Sequence, residues 1–176
     1  LEQHHIVLDL NSGTGLLAWE ALRRTPEGGV WMHATDEAAA ISLQEVADHL
    51  PDVERPRIVY GQLKHIGERL DAVETGIFFD GICGRNAIGG LQDKRKVLSE
   101  LANRLTPGGR LALLETLSRQ AQRLHALLAP DALFPALRQK LVNAEEAIYT
   151  DQQNPHVAWD TRALHRYLDE AGLEAV

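Results

Sequence analysis

The segment from residue 6 to residue 15, IVLDLNSGTG, constrains the fold of this chain more than any other stretch. Four apolar residues surround one carboxylate, as in a buried strand, and a Ser-Gly-Thr-Gly turn leads into an amphipathic helical pattern. Gly13 and Gly15 permit a turn in which the backbone approaches a ligand closely, and the helix start beyond them presents unpaired N–H groups. The segment therefore predicts a strand–loop–helix unit that handles a nucleotide.

Apolar strand-like runs alternate with helical patterns along the first two thirds of the chain. Such alternation is typical of right-handed βαβ units and of a mostly parallel sheet with helices on both faces. The fold class predicted from it is α/β, with a doubly wound, Rossmann-like sheet. We predict strands near 5–10, 30–35, 57–61, 77–83 and 110–115, and helices near 15–25, 38–49 and 91–105.

The pattern changes after the fifth predicted strand. Residues 118–150 contain two helical patterns interrupted by prolines, which predicts a helical insertion. A final helix is predicted from an N-cap at Asp160 to Gly172, with a strand beginning at Leu173. We interpret residues 1–176 as a single domain, truncated before the last strands of its sheet and excised from a longer protein.

The composition argues against several function classes. A net charge of −7 disfavours direct nucleic-acid binding, because phosphate contacts need a surplus of Lys and Arg. No apolar run is long enough to cross a bilayer, so we expect no membrane role. Cys83 is the single cysteine, which suits a reducing, cytoplasmic compartment. The eight histidines show no metal-ligand spacing, and we expect no metal site.

Asp36 is the second carboxylate that bears on a ligand site. It follows the second predicted strand, about 20 residues after Gly15, as in dinucleotide-binding units. Ligands of doubly wound sheets bind at the carboxyl ends of the strands, so the 11–15 loop and Asp36 belong to one crevice. A carboxylate in that position accepts both hydroxyls of a ribose.

Two nucleotide ligands compete for this crevice. Gly13-x-Gly15-x-x-Ala18 followed by Asp36 fits the dinucleotide fingerprint, which keeps an NAD-binding domain as an alternative. Asp9 favours a different ligand, since burying a carboxylate costs several kcal/mol unless it is paired. A cationic amino group on the ligand would pair with Asp9, whereas a pyrophosphate would be repelled.

The same residues resemble the class I S-adenosylmethionine-dependent methyltransferase family. Its glycine-loop motif is matched by VLDLNSGTG at 7–15 and its ribose-binding acid by Asp36. Its fourth-strand motif resembles FDGI at 79–82, and the helix–turn–strand that follows resembles LANRLTPGGRLALLE at 101–115. These matches occur in the family's order. The resemblance implies a methyltransferase-like transferase domain that uses S-adenosylmethionine.

The resemblance also implies which residues contact the cofactor. Asp9 would lie near the amino group of the methionyl part, and Asp36 would hold the ribose. The loop backbone would line the cofactor and the segment after the third strand would contact adenine; these residues are Asn11, Ser12, Gly13, Gly15, Gly61 and Gln62.

The acceptor side is expected in the loop after the fourth strand, which faces the reacting methyl group in this family. Arg85 and Asn86 fall there and are candidates for positioning a substrate carboxylate or phosphate. Glu115, which ends the fifth predicted strand, is a further carboxylate that could face the crevice.

Three departures from the family pattern bear on activity. Asn11 replaces the first glycine of the loop, and Gln62 stands where the family often has an acid. The segment CGRN at 83–86 lacks the Asn/Asp-Pro-Pro-aromatic motif that methylates exocyclic amines. We therefore predict cofactor binding and leave catalysis and the methyl acceptor open.

A second resemblance concerns residues 144–160, AEEAIYTDQQNPHVAWD. They are similar to the C-terminal methyltransferase-like domain fused to bacterial recombination-factor AAA ATPases. This implies a covalently linked AAA ATPase domain as a partner and a role in DNA replication or repair. It also supplies another alternative, a catalytically silent interaction domain fused to such an ATPase.

Overall fold

Five parallel strands form one sheet in the order β3-β2-β1-β4-β5 in the computed structural model, which describes residues 1–174. The chain begins in the middle of the sheet, moves to one edge and then returns to build the other. The direction of winding therefore reverses between β1 and β4, and this is the point where doubly wound sheets bind their ligands. The strands are Ile6–Leu10 (β1), Gly29–Ala34 (β2), Arg57–Tyr60 (β3), Phe79–Arg85 (β4) and Leu105–Leu114 (β5).

Six α-helices connect and cover these strands: Leu16–Arg24 (α1), Glu37–Ala47 (α2), Ile66–Val73 (α3), Lys94–Ala102 (α4), Pro135–Thr150 (α5) and Thr161–Glu170 (α6). The predicted fold class is confirmed. The sequence pattern missed α3, because eight residues with two fully buried apolar side chains, Ile66 and Leu70, are too few to establish a 3.6-residue period.

Alternate residues of the strands belong to two separate hydrophobic cores, one on each face of the sheet. Val7, Val30 and Met32 pack against Ala18 and Ala21 of α1. On the other face, Leu8, Phe79 and Ile82 pack with residues of α3 and α4, and α6 adds partly buried leucines. The fourteen buried residues of this second core make it the larger of the two.

The fifth strand begins earlier than its apolar pattern predicts. Phe79 pairs with Leu105 and Gly81 with Arg110, so Thr106-Pro107-Gly108-Gly109 forms an irregularity inside the ladder. The helix before it is correspondingly shorter than the predicted 91–105. Asp80 fixes this region, because its carboxylate accepts hydrogen bonds from the Ile6 N–H and the Thr106 hydroxyl, both at 2.9 Å.

Residues 118–150 form two short 3-10 helices, Ser118–Gln120 and Leu124–Leu127, followed by α5. Glu145 of α5 holds this segment together by accepting hydrogen bonds from the Leu124 and His125 N–H groups. Residues 173 and 174 adopt no regular structure, and the rest of the strand predicted from Leu173 lies outside the described residues. Among residues 1–174 no helix is long and apolar enough to span a membrane.

Candidate active site

The loop after β1 has the conformation that its glycines predict. Gly13 and Gly15 have positive φ, at 56° and 79°, and α1 begins directly after Gly15. A Cβ on Gly15 would lie 2.5 Å from Trp19 Nε1 and 2.7 Å from the terminal methyl of Met32, so the position accepts only glycine. The loop therefore brings the backbone and the first N–H groups of α1 to the carboxyl edge of the sheet.

Asp9 lies beneath this loop as a buried carboxylate. It is 1% exposed, and within residues 1–174 its Oδ2 atom has no hydrogen-bond partner. Burial raises the pKa of Asp9 to about 6, although the Ser12 hydroxyl, the Ala18 N–H and Cys83 favour its charged form. An unpaired buried carboxylate of this kind is suited to a ligand that brings a positive charge.

Cys83 is the neighbour of Asp9 on β4, with its Sγ 3.9 Å from Asp9 Oδ1. Burial and the adjacent carboxylate raise the pKa of this thiol to about 12. The thiolate is the nucleophilic form of cysteine, so this environment suppresses nucleophilic chemistry at Cys83.

Asn11 spans the gap between the loops that follow β1 and β4. Its Nδ2 atom donates to the backbone oxygens of Arg85, at 3.4 Å, and Asn86, at 3.3 Å. Its Oδ1 atom accepts a hydrogen bond from the Thr35 hydroxyl at 3.4 Å. The predicted site residues of β1 and β4 are thus brought into direct contact.

Asp36 follows β2 at the same edge and is exposed. Its Oδ1 atom accepts a hydrogen bond from the Ala39 N–H at 2.9 Å, which caps the N-terminus of α2. One of the two carboxylate oxygens of Asp36 thus stabilises the start of a helix.

The residues after β3 complete the edge of the crevice. Gly61 has a φ of 145° and donates its N–H to the Ala34 oxygen at 3.0 Å. Gln62 is exposed and precedes a 3-10 helix, Leu63–His65. Residues 35, 36 and 62 are all exposed, so this side of the crevice is open to solvent.

Glu115 orders the loop that follows β4. Its Oε1 atom accepts hydrogen bonds from the N–H groups of Ala87 and Ile88 at 2.7 and 3.1 Å, and its Oε2 atom accepts one from Gly89 at 3.0 Å. Both carboxylate oxygens of Glu115 are therefore used to hold this loop. Sequence reasoning missed this role because the donors lie 26 to 28 residues away.

A family model described as a methyltransferase domain matches residues 1–176. This chain belongs to the methyltransferase domain family. A search of curated proteins finds no match to it.

Solved structures share the fold, and several of them are described as methyltransferases. The YcgJ protein of Bacillus subtilis is 18% identical, with a TM-score of 0.62, and the match covers 97% of this chain and 62% of that one. A SAM-dependent methyltransferase from Aquifex aeolicus is 15% identical, with a TM-score of 0.61 and coverage of 98% and 73%. The CcbJ methyltransferase of Streptomyces caelestis is 19% identical, with a TM-score of 0.53 and coverage of 64% and 43%.

The methyltransferase domain spans 39% to 64% of the length of the first three structures it matches. At these identities the likeness establishes the fold, and the family match establishes the class of domain. The prediction of a methyltransferase-like domain with a Rossmann-like fold is thereby confirmed.

His33 is the residue of this methyltransferase domain whose role sequence reasoning missed. It is fully buried in β2, where its Nε2–H donates to the Gly61 oxygen at 2.9 Å. Its Nδ1 atom then accepts the Asn11 N–H at 3.4 Å, which assigns the neutral Nε2–H tautomer. Burial lowers the pKa of His33, in agreement with a neutral ring. One imidazole thus connects the loops after β1 and β3, and a polar residue inside an apolar strand was its only sequence signal.

Replacement of His33 by leucine is expected to lower the free energy of unfolding by about 2 kcal/mol, because it leaves one N–H and one carbonyl without partners. His33→Gln retains an N–H donor toward Gly61 and is expected to lose about half as much. Urea denaturation of both variants measures the difference. Equal stability of the leucine variant and the parent would contradict the assigned bonds.

A cavity of about 600 Å³ lies at the opposite edge of the sheet, near the amino ends of the strands. Its lining includes Trp31, Arg57 and Glu74 but none of the predicted site residues. Arg57 pairs with Glu74 and lies over the Trp31 ring at 5.2 Å. The charges of Arg57 and Glu74 therefore neutralise each other within the chain.

Proposed function

We propose that this methyltransferase domain binds S-adenosylmethionine along the carboxyl ends of β1, β2 and β3 and directs the methyl group toward the loop after β4. The observation that carries the proposal is the buried Oδ2 atom of Asp9 beneath the glycine loop, which has no hydrogen-bond partner among residues 1–174. A ligand with an α-amino cation supplies the missing partner, and NAD does not, because its pyrophosphate is anionic.

The remaining residues fit the adenosyl part of such a cofactor. Asp36 keeps its second carboxylate oxygen for a ribose hydroxyl while the first caps α2. Gln62 offers an amide to the adenine edge, in place of the acid that the family often has. Among similar structures, the glycopeptide N-methyltransferase MtfA is described in complex with sinefungin, an adenosyl amino acid analogue, which supports this class of ligand.

In the proposed reaction the cofactor supplies an activated methyl group for direct transfer. The chain contributes orientation and exclusion of water, which account for a large part of the rate in reactions that need no dedicated acid or base. Arg85 is exposed at the end of β4 and is positioned to attract an acceptor carboxylate or phosphate. Asn86 fixes the loop beside it, since its Oδ1 atom accepts two hydrogen bonds from Thr116 at 2.9 Å.

Calorimetry with S-adenosylhomocysteine, the demethylated product, tests the binding proposal. We expect measurable affinity in the parent and a loss of about tenfold in Asp36→Ala, equivalent to about 1.4 kcal/mol for one ribose contact. Asp160→Ala is the matched control, because Asp160 caps α6 through the same kind of bond and lies outside the crevice. Equal affinity of Asp36→Ala and parent would show that Asp36 does not hold the ligand.

Two further outcomes distinguish the alternatives. Binding of NAD without binding of S-adenosylhomocysteine would favour the dinucleotide hypothesis. A folded protein that binds neither ligand at millimolar concentration would leave the silent interaction domain as the better description.

We also propose that the domain acts in the cytoplasm as part of a larger protein with an AAA ATPase domain of DNA replication or repair. The support is the resemblance at residues 144–160, which pack as part of the fold: Lys94 Nζ donates to the Pro155 oxygen at 2.8 Å and lies over the Trp159 ring. A similar structure is in complex with the Trm112 methyltransferase activator of Haloferax volcanii, so the fold accepts protein partners. The intact mass of the protein isolated from its native cells tests the covalent link to an ATPase domain. A mass that leaves no room for such a domain would contradict it.

A further inference from the structure

Two residues other than glycine have left-handed backbone conformations within residues 1–174, and they meet at the crevice. Asn11 has a φ of 54° and Asn86 a φ of 49°. The side chain of Asn11 donates to the backbone oxygen of Asn86 and to that of Arg85. Unusual backbone conformations persist where the surroundings impose them, and they concentrate at functional sites.

The Asn11 amide occupies the gap between the loops after β1 and β4. In the proposed function this gap is where the methionyl part of the ligand lies, between Asp9 and the loop after β4. A glycine at position 11 has no side chain and would leave the gap open at the same φ. At the ends of β2 and β3, by contrast, Thr35, Asp36 and Gln62 are exposed, and the nucleoside side is open.

The hydrogen bonds by which the Asn11 side chain closes the gap are weak enough to break when a ligand binds. The three hydrogen bonds of its side chain measure 3.3 to 3.4 Å, at the weak end of the range for such bonds. The loop after β4 does not depend on these bonds of Asn11. The Asn86 N–H donates to the Leu114 oxygen at 2.8 Å, and Glu115 holds residues 87 to 89. Removing the Asn11 side chain therefore opens the gap and leaves both loops in place.

We propose that Asn11 is a latch that closes the methionyl end of the crevice, so that displacing it offsets the affinity that the amino-acid tail of the ligand gains at Asp9. This inference rests on the proposed function and adds a specificity-determining residue to it. Adenosyl compounds with and without an amino-acid tail should therefore bind the parent protein with similar affinity, since the tail must displace the latch.

The test compares S-adenosylhomocysteine with 5′-methylthioadenosine, which has the same nucleoside and thioether but lacks the amino-acid end. In the parent we expect dissociation constants within about threefold of each other. In Asn11→Gly we expect S-adenosylhomocysteine to bind about tenfold more tightly, with methylthioadenosine unchanged. Thr35→Val is the control, because it removes one bond to Asn11 and leaves the amide across the gap.

The outcomes of this test distinguish the role of Asn11 from the proposed binding of S-adenosylmethionine. A parent protein that prefers S-adenosylhomocysteine tenfold, or an Asn11→Gly protein with the parent's ratio of affinities, overturns the latch while cofactor binding stands. Failure of both proteins to bind either compound overturns the proposed function and the latch together. Binding of S-adenosylhomocysteine by the glycine variant alone supports both.

Discussion

Substitution of Asp9 by asparagine is expected to raise the free energy of unfolding at pH 7.5 by about 2 kcal/mol while weakening S-adenosylhomocysteine binding at least tenfold. Asp9 is buried, one of its oxygens has no partner in the part of the chain that the structure describes, and its pKa is raised to about 6 from an ordinary value of 3.8. The difference between these two pKa values corresponds to about 3 kcal/mol of destabilisation when the carboxylate is charged. The asparagine variant avoids this destabilisation but recovers only about 2 kcal/mol of it, because the new buried amide also needs hydrogen-bond partners.

The pH dependence of this effect has a definite sign. A carboxyl whose pKa is raised by folding binds its proton more tightly in the folded state, so its stabilising contribution is complete below about pH 3.8 and disappears as the pH rises through 6. The stability advantage of Asp9→Asn should therefore grow between about pH 4 and pH 6 and stay constant above pH 7. Glu20 and Asp71, whose pKa values are lowered to about 2, titrate below this window and are common to both proteins.

Urea denaturation at pH 4.5, 6 and 7.5 measures the stability effect. Asp169→Asn, an exposed change of the same chemistry on α6, serves as the control and should show no such pH dependence. A stability difference between Asp9→Asn and parent that is the same at all three pH values would refute the assigned environment of Asp9.

The loss of ligand affinity follows from the same unpaired oxygen. A bound α-amino cation lowers the pKa of Asp9, so binding near pH 6 should release a proton and affinity should increase from pH 5 to pH 7 in the parent. The asparagine variant lacks this titration and should bind with little pH dependence over that range. Calorimetry in two buffers of different ionisation enthalpy detects the released proton. A stabilised variant with undiminished affinity would show that Asp9 has a structural role only.

The sequence predicted the architecture because strand order and helix placement follow from hydrophobic period and from the handedness of βαβ connections. The same topology places the predicted residues of β1, β2, β3 and β4 at one edge of the sheet. Asp9 was predicted from its chemistry, as a carboxylate in an apolar strand, and its Oδ2 atom has no partner within the described residues 1–174. Features that depend on the hydrophobic period of strands and helices, or on a single charged residue in an apolar strand, can therefore be predicted from the sequence.

Two of the features that escaped prediction, the roles of His33 and Asn11, depend on long-range hydrogen bonds. The ring of His33 contacts a residue 22 positions before it and one 28 positions after it, and neither spacing carries a pattern. Asp36 serves α2 through a local cap that its place at a strand end does not reveal. Asn11 was recognised as a departure from the glycine motif, but its bridge to β4 required the register of two strands that are 74 residues apart.

Replacement of Glu115 by glutamine is expected to lower the free energy of unfolding by about 2 kcal/mol and to release the loop after β4. The carboxylate accepts three backbone N–H bonds, and bonds to a charged group contribute about 1.5 to 3 kcal/mol each when they are shielded from water. The glutamine amide keeps one acceptor oxygen but directs an N–H toward the remaining donors, and the partial exposure of residue 115 reduces the effect.

Trypsin provides a readout of the loop that global stability does not. Arg85 is exposed, yet the residues after it are held by Glu115 and Asn86, so the bond after Arg85 should resist cleavage in the parent and be cut at least tenfold faster in Glu115→Gln. Glu45→Gln, an exposed charge removal on α2, is the matched control and should cleave at the parent's rate. Unchanged cleavage in Glu115→Gln would mean that Asn86 alone fixes the loop. The acceptor side of the crevice would then be held by the two Thr116 bonds to Asn86, and the carboxylate at the end of β5 would contribute stability without shaping the site.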